Sequence, residues 1–291
     1  MSSSNEGVLE NLFKLEQNNT DVKTELIAGF TTFMTMAYII FVNPAILSDA
    51  GMPFDGVFIA TIMGVILGTL AMAFLTNYPF ALASGMGLNA FFAYSVVIGM
   101  GVPWQVALGI IFLEGILFII LSVTPVREMI VNSIPMALKT GISAGIGLFI
   151  AFIGLQNAGI VVADQATLVA MGNIFVGPGL VALVGLLVTG ILHARKIKGA
   201  LLWGILISTA FGWTNGVTPA FSGVFAMPQM ADWSEVLFKL DIASALDIGM
   251  IGVLLSFLFV DMFDTAGTLV GVSQQAGYLD ENGDLPKASK A

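Results

Sequence analysis

Cysteine is absent from the 291-residue sequence, which excludes disulfides and thiolate metal sites. Charge is scarce too. Asp, Glu, Lys and Arg make up 10% of the residues, against about 25% in soluble domains. A soluble protein of this length has room for a large core but needs a charged shell, and these side chains cannot build one. Basic residues number 10 against 19 acidic, and they form no basic stripe of the kind nucleic acid requires. The first 23 residues are polar and mixed in charge. They lack the apolar core of a cleaved signal peptide, so the first span is expected to direct insertion itself. The triplet Asn18-Asn19-Thr20 has a glycosylation pattern, but it lies in a tail that reads as cytoplasmic.

What is present is apolar sequence. Hydrophobic residues make up 57% of the chain and the mean hydropathy is +0.95. The apolar runs approach about 20 residues, the length that crosses a bilayer as helix. The expected fold is all-α and polytopic, with about eight transmembrane helices at 25–47, 55–76, 80–100, 103–123, 139–157, 177–194, 200–217 and 247–271. A cytoplasmic tail (1–23), a transmembrane domain (24–271) and a second cytoplasmic tail (272–291) follow from these bounds. The segments 125–138 and 218–246 mix charged and apolar residues and read as interfacial pieces. Lys14, Lys23, Arg127, Lys139, Arg195, Lys196, Lys198, Lys287 and Lys290 all fall on one side of an eight-span arrangement, and Lys239 on the other. Basic loops stay in the cytoplasm, which puts both termini inside the cell membrane.

Charged residues within the spans are few: Glu114 in the fourth, and Asp261 and Asp264 in the eighth. An aspartate at the bilayer centre costs roughly 2.5–3.5 kcal/mol. A pair is tolerable only where it faces protein or water. Three residues apart, Asp261 and Asp264 share a helix face, which Thr265 and Thr268 extend with hydroxyls. Close carboxylates repel each other, an arrangement suited to proton uptake and release during solute transport. The competing reading is a packing pair satisfied by neighbouring helices.

The third span contains Pro79, Gly85 and Gly87 and is expected to be broken, exposing backbone donors and acceptors at a binding site. Asn89 adds an amide there; Phe91 and Phe92 either stack on a planar ligand or pack. Gly85-Met-Gly87-Leu-Asn-Ala90 matches a dinucleotide fingerprint, but it lacks the α/β context that pattern requires. Thr35 and Asn43 of the first span either line a cavity or bond across helices. Glu114 precedes Gly115, a place for close helix contact and a structural or gating role. Gly64/Gly68 and Gly141/Gly145 have a packing spacing. His193, the only histidine, adjoins Arg195 at an interface.

The runs Glu25–Tyr38, Gly85–Tyr94 and Phe259–Thr268 closely resemble the AzgA-like purine permeases, the hypoxanthine, guanine and adenine branch of the nucleobase–cation symporters. The resemblance covers nearly the whole chain from about residue 10. It implies proton-coupled uptake of purine bases, with no cofactor beyond the coupling proton. It implies two inverted repeats of seven spans forming core and gate regions, and a homodimer surrounded by lipid. It also implies that Asp261 holds the purine ring edge, that Asp264 serves transport and proton coupling, and that Asn89 lies near the base. Gly87 and Thr35 join the expected substrate-binding set. Family members run to fourteen spans, so eight correspond to the first repeat and the opening helix of the second. The expectation is an amino-terminal fragment, a fragmentary gene product or half of a split protein. Two other readings stand beside transport: a non-transporting remnant or assembly partner, and an intramembrane aspartyl hydrolase using Asp261 and Asp264.

Overall fold

Aspartate, proline and glycine mark where the apolar helices start, break and stop. A computed structural model of the chain describes residues 3–124, 136–197, 199–219 and 233–278. Its helices are α1 (Ser3–Phe13), α2 (Val22–Met36), α3 (Ile39–Asp49), α4 (Phe54–Thr76), α5 (Met86–Ala90, continuing as π-helix over Phe91–Gly99) and α6 (Trp104–Val123). There follow α7 (Met136–Asn157), strands β1 (Val161–Asp164) and β2 (Leu168–Met171), α8 (Gly177–Ala194), α9 (Ala200–Thr214), α10 (Ile242–Ala245) and α11 (Ile251–Ala276). Among the described residues, five stretches are long and apolar enough to cross a membrane: Val22–Asp49, Phe54–Thr76, Trp104–Val123, Gly177–Ala194 and Ile251–Ser273. Shorter apolar helices lie at Met86–Gly99, Gly147–Asn157 and Ala200–Thr214. Each expected span thus has a helix, and the polytopic helical class stands. Large apolar side chains such as Ile119, Leu186 and Leu67 point outward, as lipid-facing residues do.

The interfacial readings fall mostly outside the described residues, at 125–135 and 220–232, as do the tail from 279 and Arg127, Lys198, Lys287 and Lys290. Within the expected polar tail, α1 is helical, and α11 runs past residue 271 to Ala276.

The chain divides into two units. The first comprises Met1–Ile39, Leu67–Ala83 and Phe152–Ala226. There Asp21 caps α2, accepting from the Thr24 N–H at 2.7 Å. Helices α8 and α9 pack closely because glycine meets a hydroxyl residue in both directions. A Cβ at Gly204 would overlap Thr189, and one at Gly185 would overlap Ser208. This is the small-residue contact expected of membrane helices, but it lies away from the glycine spacings the sequence advertises. A Cβ at Gly64, Gly141 or Gly145 would meet nothing within 4 Å among the described residues.

The β-hairpin had no counterpart among the expected elements. Val161 pairs with Met171 and Asp164 with Leu168. Its turn is built by Asp164, whose carboxylate accepts from the Thr167 N–H at 2.8 Å and the Ala166 N–H at 2.9 Å. An aspartate followed by a short polar stretch after Val161-Val162 is the signal that marks it. These bonds, that from Thr167 first, hold the exposed carboxyl below the usual aspartate range. A lowered carboxyl favours the folded turn above its unfolded value, and that contribution is lost as pH falls through the folded value. Hydrogen exchange at the Ala166 and Thr167 amides is therefore expected to be slowed at neutral pH. The slowing should be lost only as pH falls below the ordinary aspartate range, whereas Asp164→Asn should show no such transition.

The second unit comprises Ile40–Ile66, Ser84–Ala151 and Met227–Ala291. Phe92, Ala93, Val96, Ala107, Ile110, Val253 and Phe257 form its core. Phe91 meets Phe257 edge to face at 4.9 Å. Both aromatics of the third span therefore pack within this unit. Helix α10 sits against α6: the Asp241 N–H donates to the Gln105 carbonyl at 2.9 Å, and a Cβ at Gly109 would overlap the Asp241 carbonyl oxygen. Close approach on α6 is thus at Gly109. At Gly115, where the sequence suggested it, a Cβ would meet nothing within 4 Å.

Candidate substrate site

The third span is broken as expected. Residues 77–85 are neither helix nor strand, and the helix begins only at Met86. Asn77 takes a left-handed conformation (φ 62°), and Pro79 has no N–H to continue a helix. Thr69 of α4 satisfies part of this irregular stretch, its hydroxyl oxygen accepting from the Leu82 N–H at 3.0 Å. Beyond Gly85 the chain coils into α5, and the Phe91 N–H bonds to the carbonyls of Gly87 and Leu88. The π-helical continuation holds Tyr94 where its hydroxyl donates to Asp49 Oδ2 at 2.7 Å. Such wide turns occur often at functional sites.

Helix α11 brings the two aspartates to this segment. Val253, Phe257, Leu258 and Met262 form its buried stripe, and Asp261 and Asp264 are half-buried beside it. Asp264 Oδ2 lies 3.0 Å from where a Gly85 Cβ would stand, so glycine at 85 makes room for the carboxylate. Thr265 Oγ1 lies 3.5 Å from Asp261 Oδ1, a distance too long for a strong bond, and Thr268 donates to the Asp264 carbonyl at 2.7 Å. Gly85→Val is expected to displace the Asp264 carboxylate and lower the melting temperature in detergent, with circular dichroism checking that helix content is unchanged; an unchanged melting temperature would show that Asp264 tolerates displacement.

From α6, Glu114 is 6% exposed, and its Oε1 has no hydrogen-bond partner among the described residues. Its carboxyl and that of Asp261 act on each other electrostatically. Ser84 Oγ, at the entry to α5, is likewise buried without a partner. Unsatisfied polar atoms in a low-dielectric setting cost about 1–3 kcal/mol each, and each of these is a point a ligand or water can satisfy.

Asn89 is tied to two other spans. Its Nδ2 donates to Asn43 Oδ1 at 2.5 Å, and Asn43 Nδ2 donates to Thr61 Oγ1 at 2.7 Å. Asn43 thus bonds across helices. Thr35 belongs to the first unit, where its hydroxyl donates to the Thr32 carbonyl at 2.7 Å. The second unit therefore brings together Asn89, Gly87, Asp261 and Asp264 of the expected set, and adds Glu114, Ser84, Gly85 and Thr61. Thr61 escaped sequence reading. Its only signal is a hydroxyl midway along an apolar run. His193 is exposed at the end of α8, as expected of an interfacial residue. Among the described residues, no three His, Asp or Glu side chains converge as metal ligands would.

Comparisons with known proteins agree in direction. The xanthine/uracil permease family (Xan_ur_permease, a permease family) matches residues 23–291. A Methanocaldococcus jannaschii protein named provisionally as a permease is 51% identical over 283 residues, covering 97% of this chain and 64% of its own length. The guanine/hypoxanthine permease PbuO of Bacillus subtilis is 44% identical, covering 96% and 65%. The adenine permease AdeP of Escherichia coli is 43% identical, covering 99% and 64%. The chain thus spans about two thirds of the length of these relatives. Membership of a transporter family displaces the hydrolase reading, and so does the placement of both acids one turn apart on a single helix. With a family match over nearly all of its length, and with its apolar helices and broken third span, the chain belongs to the xanthine/uracil permease family.

Proposed function

We propose that the chain carries the substrate site of a secondary transporter for purine nucleobases, driven by protons. The observation that carries this reading is the apposition of Asp264, one turn from Asp261 on α11, to Gly85 in the broken third span. Broken helices at the level of the membrane present backbone groups to solute, and acids beside them supply acceptors and proton-carrying groups. Asp261 accepts from an N–H of the base. Asp264 and Asp261 exchange the coupling proton, and Gly87 lets the backbone approach the ring. The names of the relatives, adenine permease and guanine/hypoxanthine permease, support a purine. The one-sided distribution of basic residues supports a place in the cytoplasmic membrane with both termini inside. Assembly as a homodimer completes the proposal.

The chain makes up part of the transporting unit. Its activity is tested alone and fused to the remaining third of the E. coli adenine permease. The fusion is expected to accumulate labelled adenine, guanine or hypoxanthine in cells. An uncoupler should abolish accumulation, and replacing sodium should not. Uptake that follows sodium and ignores the uncoupler would overturn proton coupling. No uptake of any purine, with protein present in the membrane, would overturn the substrate.

A further inference from the structure

Asn43 is 5% exposed and Thr61 7%, in apolar helices where each polar atom needs a partner. The Thr61 hydroxyl has a single proton, which goes to the Val57 carbonyl at 2.7 Å. Toward Asn43 it can therefore only accept. That obliges Asn43 to turn its amide nitrogen to Thr61 and its oxygen to Asn89. Asn89 must in turn meet that oxygen with its own nitrogen. Each bond dictates the sense of the next. The outcome is an Asn89 amide with its carbonyl oxygen turned away from Asn43; flipping it would set two oxygens against each other.

Asn89 stands one helical turn beyond Gly85, its N–H donating to the Gly85 carbonyl at 3.0 Å, and Gly85 is where Asp264 approaches. We propose that Thr61 and Asn43 are positioning residues that lock Asn89 with its carbonyl oxygen toward the ligand, so that the site reads N–H donors on the base. This rests on the purine reading above. An ionised aspartate only accepts, and so does the locked carbonyl. Together they select a ring edge carrying N–H groups and reject one where N–H is replaced by N-methyl or a bare ring nitrogen.

The test has two readouts on the whole chain in lipid nanodiscs. In the first, the chain is labelled with 15N-asparagine, and the Asn89 side-chain amide signal is identified by its loss in Asn89→Ala. Thr61→Val, nearly isosteric and so expected to fold, should shift that signal; Thr61→Ser should leave it in place. In the second, binding of labelled adenine, guanine and hypoxanthine is measured. Thr61→Val should weaken the base that binds by about fivefold to tenfold, the worth of one hydrogen bond, with Thr61→Ser near wild type. In an Asn89→Ala background Thr61→Val should weaken it no further. An unmoved signal overturns the proposal. So does a moved signal with unchanged binding, or an equal loss in the Asn89→Ala background. If no base binds the chain either alone or fused to the remaining third of the adenine permease, the purine reading falls and takes the ligand half of the proposal with it, while the amide signal still decides whether Thr61 sets the lock.

Discussion

Asp261→Asn is expected to cut initial purine uptake by at least about seventyfold, with the amount of protein in the membrane unchanged. The substitution keeps the shape but replaces an acceptor-only group with one that also donates. An N–H of the base would then meet N–H, and a charged partner would be lost. A hydrogen bond to a charged group is worth about 1.5–3 kcal/mol, and a buried donor left unpaired costs about 1–3 kcal/mol more, together roughly 70-fold or more in affinity. Folding should not suffer, because a neutral side chain at 261 relieves the electrostatic interaction with Glu114. Labelled hypoxanthine uptake, normalised to membrane protein, is the measurement. Uptake at the unmodified rate would sink the role given to Asp261. Asp264→Asn is expected to separate the two steps: equilibrium binding of the base persists while accumulation against a gradient is lost.

Gly109→Ala is expected to harm the fold directly. Its Cβ would overlap the Asp241 carbonyl oxygen and crowd the Ala245 Cβ at 3.1 Å. These atoms belong to backbone and to a side chain with no rotamer to change, so α10 must move as a body. The Asp241–Gln105 bond at 2.9 Å goes with it. Overpacking of this sort costs about 1–3 kcal/mol, and a rigid obstacle puts this case near the top of that range. A lowered melting temperature in detergent measures it. Gly115→Ala on the same helix is the control. It meets open space, and alanine's better helix propensity, worth up to about 1 kcal/mol, should leave it neutral or slightly stabilised. Equal losses at both sites would show that glycine flexibility, not contact with Asp241, is what matters.

Much of this was legible in the sequence because the bilayer permits so few solutions. A helix must satisfy its own backbone, so each apolar run of sufficient length had to be one. Pro79 and Gly85 announced the break in the third span, and Asp261 and Asp264 stood out because charge is so rare among the spans. Contacts between elements were less legible. Gly115 and Gly64 looked like close-packing sites, but the tight contacts are at Gly109, Gly185 and Gly204. A glycine in an apolar run does not say which face its helix turns to a neighbour. Thr61 was invisible for the same reason: a threonine can bond its own preceding turn, and only its partner Asn43 reveals a second duty. The β-hairpin is hard to see in the sequence because two four-residue strands leave little trace between long helices.

The hydrogen-bond series from Val57 through Thr61 and Asn43 to Asn89 has a consequence for how the chain enters the membrane. Its members all come from the first 89 residues, whereas Asp261 is made some 170 residues later. During synthesis two asparagine amides and a threonine hydroxyl must wait in lipid for the acidic helix. They can wait because they close on one another. The early spans thus form a self-sealed polar knot, and the late helix meets the chain at Gly85, one turn before an amide already held in place.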